Sequence, residues 1–305
     1  MRETDMKAEK TPYTFILGLE HGGSSHLAFL LNAHPEIATL GEIERLRVFI
    51  PDTWNRKTDT CFCGRTFYAC PFWNRVLAGF AARGHGFDEI DYFTYSPDQK
   101  QMADDKLKAL AEAVLDVSGK RVFLDASKFP RYVKPLFENP HLDVRIINLY
   151  RDGRASINLW LNHLRRTPSN RRLPVNWWRN GLLRQITISR IIWAWRRQET
   201  ERQSVLATIP TDRVLSIKYE DLVTTPQKTL RSIFAFLRVD EEFEVVEGFK
   251  FAVEQHIIGN QMLLHSQEKI IPDDKRRTEM EADSLFLFRF LRGERLNRKI
   301  GYAGE

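Results

Sequence analysis

The chain has 305 residues, 43% of them hydrophobic and 28% charged, and its 46 Lys and Arg against 40 Asp and Glu leave a formal net charge of +6. That balance is ordinary for a globular protein and excludes disordered and fibrous classes. No uninterrupted apolar run approaches the ~18 residues of a membrane span, and the charged start MRETDMKAEK does not read as a signal peptide. With only 3 Cys there is no disulfide scaffold, so a cytoplasmic protein with reduced thiols is expected.

The first element is Tyr13–Leu17, a short apolar run stopped by Gly18, which reads as a buried strand. Ser24 or Ser25 can cap the helix that follows, whose apolar side is Leu27, Phe29, Leu30 and Leu31 and whose end falls near His34-Pro35. Residues 58–75 hold the cysteines Cys61, Cys63 and Cys70. Helical patterns follow at 105–117, 153–163, 177–202 and 226–237, alternating with apolar runs at 121–125, 144–150 and 214–219. Short apolar strands between helices predict an α/β fold, a three-layer arrangement with a parallel sheet covered on both faces and helical insertions. No linker interrupts it, so residues 1–305 read as one domain, with a flexible N-terminus of about 12 residues. Beyond about residue 240 the pattern is mixed and assigns no strand.

The positive charge is concentrated. Residues 151–202 contain twelve Arg and no Lys against three acids (Asp152, Glu199, Glu201), a net +9, together with five of the seven Trp. This Arg/Trp-rich helical region, 160–203 at its core, suits an anionic partner, or else an amphipathic helical layer with Trp inside and Arg solvated. The stretch Trp177–Trp195 is expected to wall a binding cleft.

After the first strand comes Gly18-Leu19-Glu20-His21-Gly22-Gly23-Ser24-Ser25. The spacing is that of a phosphate-binding P-loop, with Ser24 where a nucleotide-hydrolysing enzyme carries Lys. The glycines allow close backbone approach, and the helix N-terminus offers N–H groups and a positive dipole end. Without the Lys, and without a Walker-B aspartate behind an apolar run, the loop suits a short polyanion better than ATP hydrolysis.

The run His21–Leu27 through Leu31-Asn32-Ala33-His34-Pro35 to Leu40-Gly41-Glu42 resembles the 5′-phosphosulfate loop of sulfotransferases that use 3′-phosphoadenosine 5′-phosphosulfate (PAPS). The resemblance continues at Leu124–Lys128, at Tyr150–Ser156, at Tyr219–Val223 before Pro226, and at His256–Asn260. It implies PAPS as co-substrate, with Gly22, Gly23, Ser24, Ser25 and His26 around the phosphosulfate. Arg151 would fork onto the 3′-phosphate, with Arg154 a weaker candidate. Leu159 stands where the family carries a hydroxyl, so Ser156 or Asn158 would replace it. Tyr219 would flank the adenine, and Lys269, Lys275, Arg276 and Arg277 would form a basic lid.

At the reaction centre the family has Arg or Lys where this chain has His21. Lys128 matches by position a Lys that faces the sulfate in protein-tyrosine sulfotransferases, and Glu42 matches their catalytic base; His26, His34 and His256 are alternative bases. The implied reaction moves a sulfuryl group to a hydroxyl or amine of a small-molecule, carbohydrate, lipid or peptide acceptor. Peripheral membrane contact fits such an acceptor, and nucleic acid is not an expected partner. No metal is required, because Lys128, His21 and the loop amides supply the positive field. The competing readings are a P-loop small-molecule kinase, which needs Mg²⁺ and the missing Lys, and a non-catalytic binder of acidic partners.

The resemblance extends to the cysteines, since Cys61-Phe62-Cys63-Gly64 with Cys70-Pro71-Phe72-Trp73 is similar to a Cys-rich insertion of bacterial members. Three cysteines bind Zn²⁺ only with a fourth ligand, and no His lies within 61–73. A compact turn with buried thiols, or a redox-sensitive pair, is therefore expected, with no metal site.

Overall fold

The computed structural model describes residues 9–44, 46, 61, 63–66, 69–86, 96–166, 177–243, 256 and 280–302. Five strands form one parallel sheet in the order β2-β3-β1-β4-β5. They are β1 (Thr11–Leu17), β2 (Ile37–Gly41), β3 (Val122–Lys128), β4 (Leu142–Tyr150) and β5 (Val214–Lys218). The helices are α1 (Ser24–Asn32), α2 (Pro71–Ala82), α3 (Lys100–Ser118), α4 (Val133–Glu138), α5 (Gly153–Arg166), α6 (Gly181–Leu206), α7 (Tyr219–Thr224), α8 (Pro226–Leu237), α9 (Ala282–Phe290) and α10 (Gly293–Lys299).

Strand alternation sorts the core into two layers. Tyr13, Phe15 and Leu17 of β1, with Phe123 and Ile146, pack against Trp73, Val76 and Phe80 of α2 and against α3 and α4. Ile16, Leu124, Ile147 and Ile217 face the other way, onto α1 and α8. The expected α/β sheet with both faces covered is thus observed. A third cluster lies around α5, α6 and α9, where Trp177, Trp195, Ile188 and Ile192 meet Phe288 and Leu19.

Several elements differ from expectation. β1 starts at Thr11, two residues earlier, because the Thr11 amide already bonds the His141 carbonyl at 2.9 Å. β2 is not among the expected strands; its five residues are buried on both faces and include Ala38, Thr39 and Gly41, so they carry no alternation. α2 starts inside the Cys-rich stretch 58–75 and runs on to Ala82, opened by Pro71 at its first turn and seated by Trp73, Val76 and Phe80. The Arg/Trp-rich segment is in large part an internal layer: Trp177 and Trp195 are core residues, whereas Trp193 is 60% exposed.

Its arginines are also partly consumed by internal pairs. Arg202, 1% exposed, grips Glu199 through Nε and Nη2 at 2.9 and 2.5 Å, bonds Asn148 of β4, and lies over the Tyr150 ring. Arg184 pairs with Glu281 and Asp283, and Arg165 with Glu281 at 2.7 Å. Breaking a buried pair strands a charge without solvent. Glu199→Gln should therefore lower stability by about 3–5 kcal/mol. Lys134→Gln, on the exposed pair with Glu138, should change it by only about 0.5 kcal/mol. Denaturant midpoints of the two variants check this; equal small losses would show that Arg202 finds water or another partner.

Candidate active site

Because the sheet is parallel, the carboxyl ends of all five strands lie on one edge, where ligands bind in open α/β sheets. Each strand delivers a candidate residue there. The glycine loop follows β1, Glu42 follows β2, Lys128 ends β3, Arg151 follows β4 and Tyr219 follows β5.

The loop is fixed at both ends. The Gly18 amide donates to the Lys128 carbonyl at 2.9 Å, and the Gly22 amide to the Leu19 carbonyl at 3.0 Å. Gly23 stands before α1 with φ 98°, and a Cβ there would lie 2.2 Å from Cδ2 of Tyr219. Glycine is thus required twice, by the left-handed backbone and by the aromatic ring on it. Helix α1 begins with no side-chain cap, so its first-turn N–H groups and positive dipole end are turned to the loop. His21 (φ 59°) and Lys128 (φ 63°) are themselves left-handed, an uncommon conformation for residues with a Cβ.

Glu42 and Lys128 meet directly. The Lys128 ammonium donates to Glu42 Oε1 at 2.6 Å, and the two residues are 7% and 3% exposed respectively. A network beneath holds both chains. Ser127 Oγ donates to Asp125 at 2.6 Å and accepts the Glu44 amide at 3.1 Å, while the Tyr13 hydroxyl donates to Asp125 at 2.9 Å. Burial pushes the Asp125 carboxyl up to about 7 despite these donors. Glu44 also accepts from the Tyr132 hydroxyl.

Arg151 lies 8% exposed with its guanidinium 4.3 Å from the centre of the Tyr219 ring, and Nη1 donates to the His21 carbonyl at 3.3 Å. The Tyr219 hydroxyl meets His26 Nδ1 at 3.4 Å. The ends of β4 and β5 are thereby tied to the loop. Burial, and then His163, Lys128 and Arg151, depress the His21 imidazole from 6.5 to about 4; burial and Arg151 do the same to His26. Both rings are therefore neutral near pH 7, and His21 adds no full charge before an anion arrives.

Other candidates take structural places. Arg154 turns back onto buried Asp152, with Nη2 at 2.7 Å, and Asn297 bonds the same carboxylate at 3.1 Å. His34 accepts the Glu36 amide on Nδ1, so its Nε2 donates to the Asp240 carbonyl at 2.9 Å; with both nitrogens engaged it is no base. His256 lies against the cysteines, with Nδ1 3.4 Å from Cys61 Sγ and 3.3 Å from Cys70 Sγ, which corrects its reading as an alternative base. Ser156 and Asn158 are buried on α5. Lys269, Lys275, Arg276 and Arg277 lie outside the described residues.

Sequence reasoning missed His163. Its ring lies 5.7 Å from that of His21, with Trp160 at 6.1 Å. The available signal was helical: Trp160 and His163 are three residues apart on one face of the helix that starts beside Arg151. Among the described residues no helix is long and apolar enough to cross a membrane.

The comparisons bear on the family and the fold. A model described as the sulfotransferase family matches residues 12–243. Among solved structures the chain is similar to the sulfotransferase domain of the Synechococcus PCC 7002 olefin synthase, at 18% identity and TM-score 0.57 over 98% of both chains. It is similar to the sulfotransferase domain of the curacin biosynthetic pathway at 16% identity and TM-score 0.52, covering 93% of this chain and 98% of that one. A sulfotransferase from Alicyclobacillus acidocaldarius matches at 17% identity and TM-score 0.50, over 97% and 98%. No curated protein matches the sequence. At these identities the structures speak to the fold, and the family match together with the strand-end geometry leads to one conclusion: the chain belongs to the sulfotransferase family.

Proposed function

We propose that the protein moves the sulfuryl group of PAPS to a hydroxyl or amine of an acceptor, without a metal in the chemical step. The observation that carries this reading is the buried Lys128–Glu42 pair at 2.6 Å, on the strand edge that also carries the glycine loop. It puts a proton acceptor and a fixed cation in one water-poor place. The cradle fits a nucleotide with two anionic ends: the bare backbone at Gly22 and Gly23 and the start of α1 serve one, and Arg151 the other, with the Tyr219 ring between. When bound, PAPS would supply the sulfuryl group, and the nucleotide that remains, ending in its 5′-phosphate, would be the leaving group.

The chain's residues do the rest. Glu42 takes the proton of the acceptor hydroxyl. The Lys128 ammonium, already held beside that carboxylate, turns to the oxygens on which charge develops, and the loop amides add further donors. His21 donates a neutral hydrogen bond, and the arriving anion favours its protonation. Trp160 and His163 of α5, which face His21, border the acceptor side. A thermal-shift comparison of 3′-phosphoadenosine 5′-phosphate (PAP), ATP and GTP tests the nucleotide, and a mass gain of one SO₃ unit on an acceptor incubated with PAPS tests the reaction. Stabilisation by ATP or GTP with none by PAP would overturn the reading.

Arg151→Ala should weaken PAP binding by about 1.5–3 kcal/mol, roughly 10- to 150-fold, the range for bonds to charged groups. Binding of an analogue without the 3′-phosphate should hardly change; equal losses for both would mean that Arg151 supports the fold. Glu42→Gln should keep PAP affinity and lose about 10²–10⁴-fold in turnover, and Lys128→Ala about 10²–10³-fold. Since the two groups touch, the double variant should fall little below the weaker single one, and fully multiplicative losses would show that they act apart.

The histidine shift has a sign. His21 is neutral in the folded protein down to about pH 4, whereas the unfolded chain protonates near 6.5. Its burial therefore costs stability progressively as pH falls from 6.5 towards 4. An anion at the loop opposes this by favouring the imidazolium, so PAP affinity should rise as pH drops through that window. Calorimetric titrations should show proton uptake on binding, and in His21→Asn a smaller uptake and a flatter profile. A wild-type affinity independent of pH would remove His21 from the anion's contacts.

A further inference from the structure

We propose that Cys61, Cys63, Cys70 and His256 form a structural zinc site that ties residue 256 to the start of α2. Their four donor atoms lie within 4.8 Å of one another. Cys61 Sγ and Cys70 Sγ stand 3.4 and 3.3 Å from His256 Nδ1, and Cys63 Sγ is 3.6 Å from Cys70 Sγ. One tetrahedral Zn²⁺, with Zn–S ~2.3 Å and Zn–N ~2.0–2.1 Å, demands donor separations of about 3.5–3.8 Å. Three of the six edges, at 3.3, 3.4 and 3.6 Å, come close to that polyhedron, and the other three stay within 4.8 Å.

The surroundings are built for it. The Cys61 amide bonds the Arg65 carbonyl at 2.8 Å and the Gly64 amide bonds the Cys61 carbonyl at 2.9 Å, a tight turn that turns two sulfurs the same way. Gly64 adopts φ 81° there. Cys70 is the residue before α2, and Pro71 fixes the first turn behind it. The His256 ring stacks on Phe72 at 4.3 Å and 3°, which aims Nδ1 at the thiols. Three thiols and an imidazole favour zinc over the oxygen-seeking Mg²⁺ and Ca²⁺. Four protein donors leave no open position, which marks a structural rather than a catalytic ion. Binding would release the three thiol protons to solvent and leave the site with one negative charge.

Reading the sequence alone, the metal fails for want of a fourth ligand near 61–73; the fold supplies it from a position 186 residues beyond Cys70. The proposal does not depend on the sulfotransferase reaction. Elemental analysis of untagged protein, expressed with added zinc and desalted into metal-free buffer, should find one zinc per chain. Cys70→Ser and His256→Ala should lose most of it, and His256→Cys, which restores four soft donors, should retain it. Cobalt substitution of the unvaried protein should give intense tetrahedral d–d bands and a thiolate charge-transfer band, both displaced in His256→Cys. If the alanine or serine variant does not fold, the cobalt spectra of these two proteins still decide. Zinc far below one per chain with no cobalt bands would overturn the site, as would peptide mapping that finds Cys63 and Cys70 joined as a disulfide.

Discussion

The hydrogen bond from the Gly18 amide to the Lys128 carbonyl carries the β1–β3 ladder one step past the regular strands, and the site depends on it. Up to Phe15 opposite Asp125 the register is even; then Leu17 stands opposite Lys128, so β3 gains one residue on β1. A bulge of this kind bends a strand and re-aims its side chains. Here it coincides with the left-handed turn at Lys128. On the other side of β3, the pairing of Thr39 with Leu124 jumps to Gly41 with Asp125, a second irregularity just before Glu42. The carboxylate and the ammonium meet because both neighbouring strands leave regular geometry at the same edge.

Strained backbone persists only where packing over-determines it. Asp125 and Ser127 provide that, by bonding to Tyr13 on β1 and to the Glu44 amide beyond β2. These side chains fix the strand ends that carry Glu42 and Lys128. At the loop, Tyr219 plays the corresponding part, since its ring lies where a Cβ of Gly23 would be and carries Arg151 on it.

The fold was legible wherever a local rule wrote it. α8 appears at the expected bounds because Pro226 marks its start and Leu230, Ile233, Phe234 and Leu237 mark its face. β2 was not legible, since a strand buried on both sides shows no alternation and five residues with two small ones show little β preference. For the site, sequence order and family likeness located Glu42, Lys128, Arg151 and Tyr219, but neither could tell that Glu42 and Lys128, 86 residues apart, touch. Sequence alone leaves the charge of His21 open; its neutrality comes from burial and from cations on other elements. The tie between His256 and Cys70 spans 186 residues, beyond any spacing rule.

The basic segment shows why charge counts alone do not assign function. Its net +9 suggested an anionic partner, yet Arg202, Arg184, Arg165 and Arg154 each face carboxylates of the same chain. Those arginines join α6 to β4, α5 and α6 to the residues around Glu281, and the α5 start to its own Asp152. Arg151 lies over the Tyr219 ring and donates to the His21 carbonyl, and both contacts position its guanidinium. Its location at the end of β4, beside the loop, then decides where that charge acts. Arginines that look alike in sequence are thus separated by the element each follows and by what its guanidinium touches.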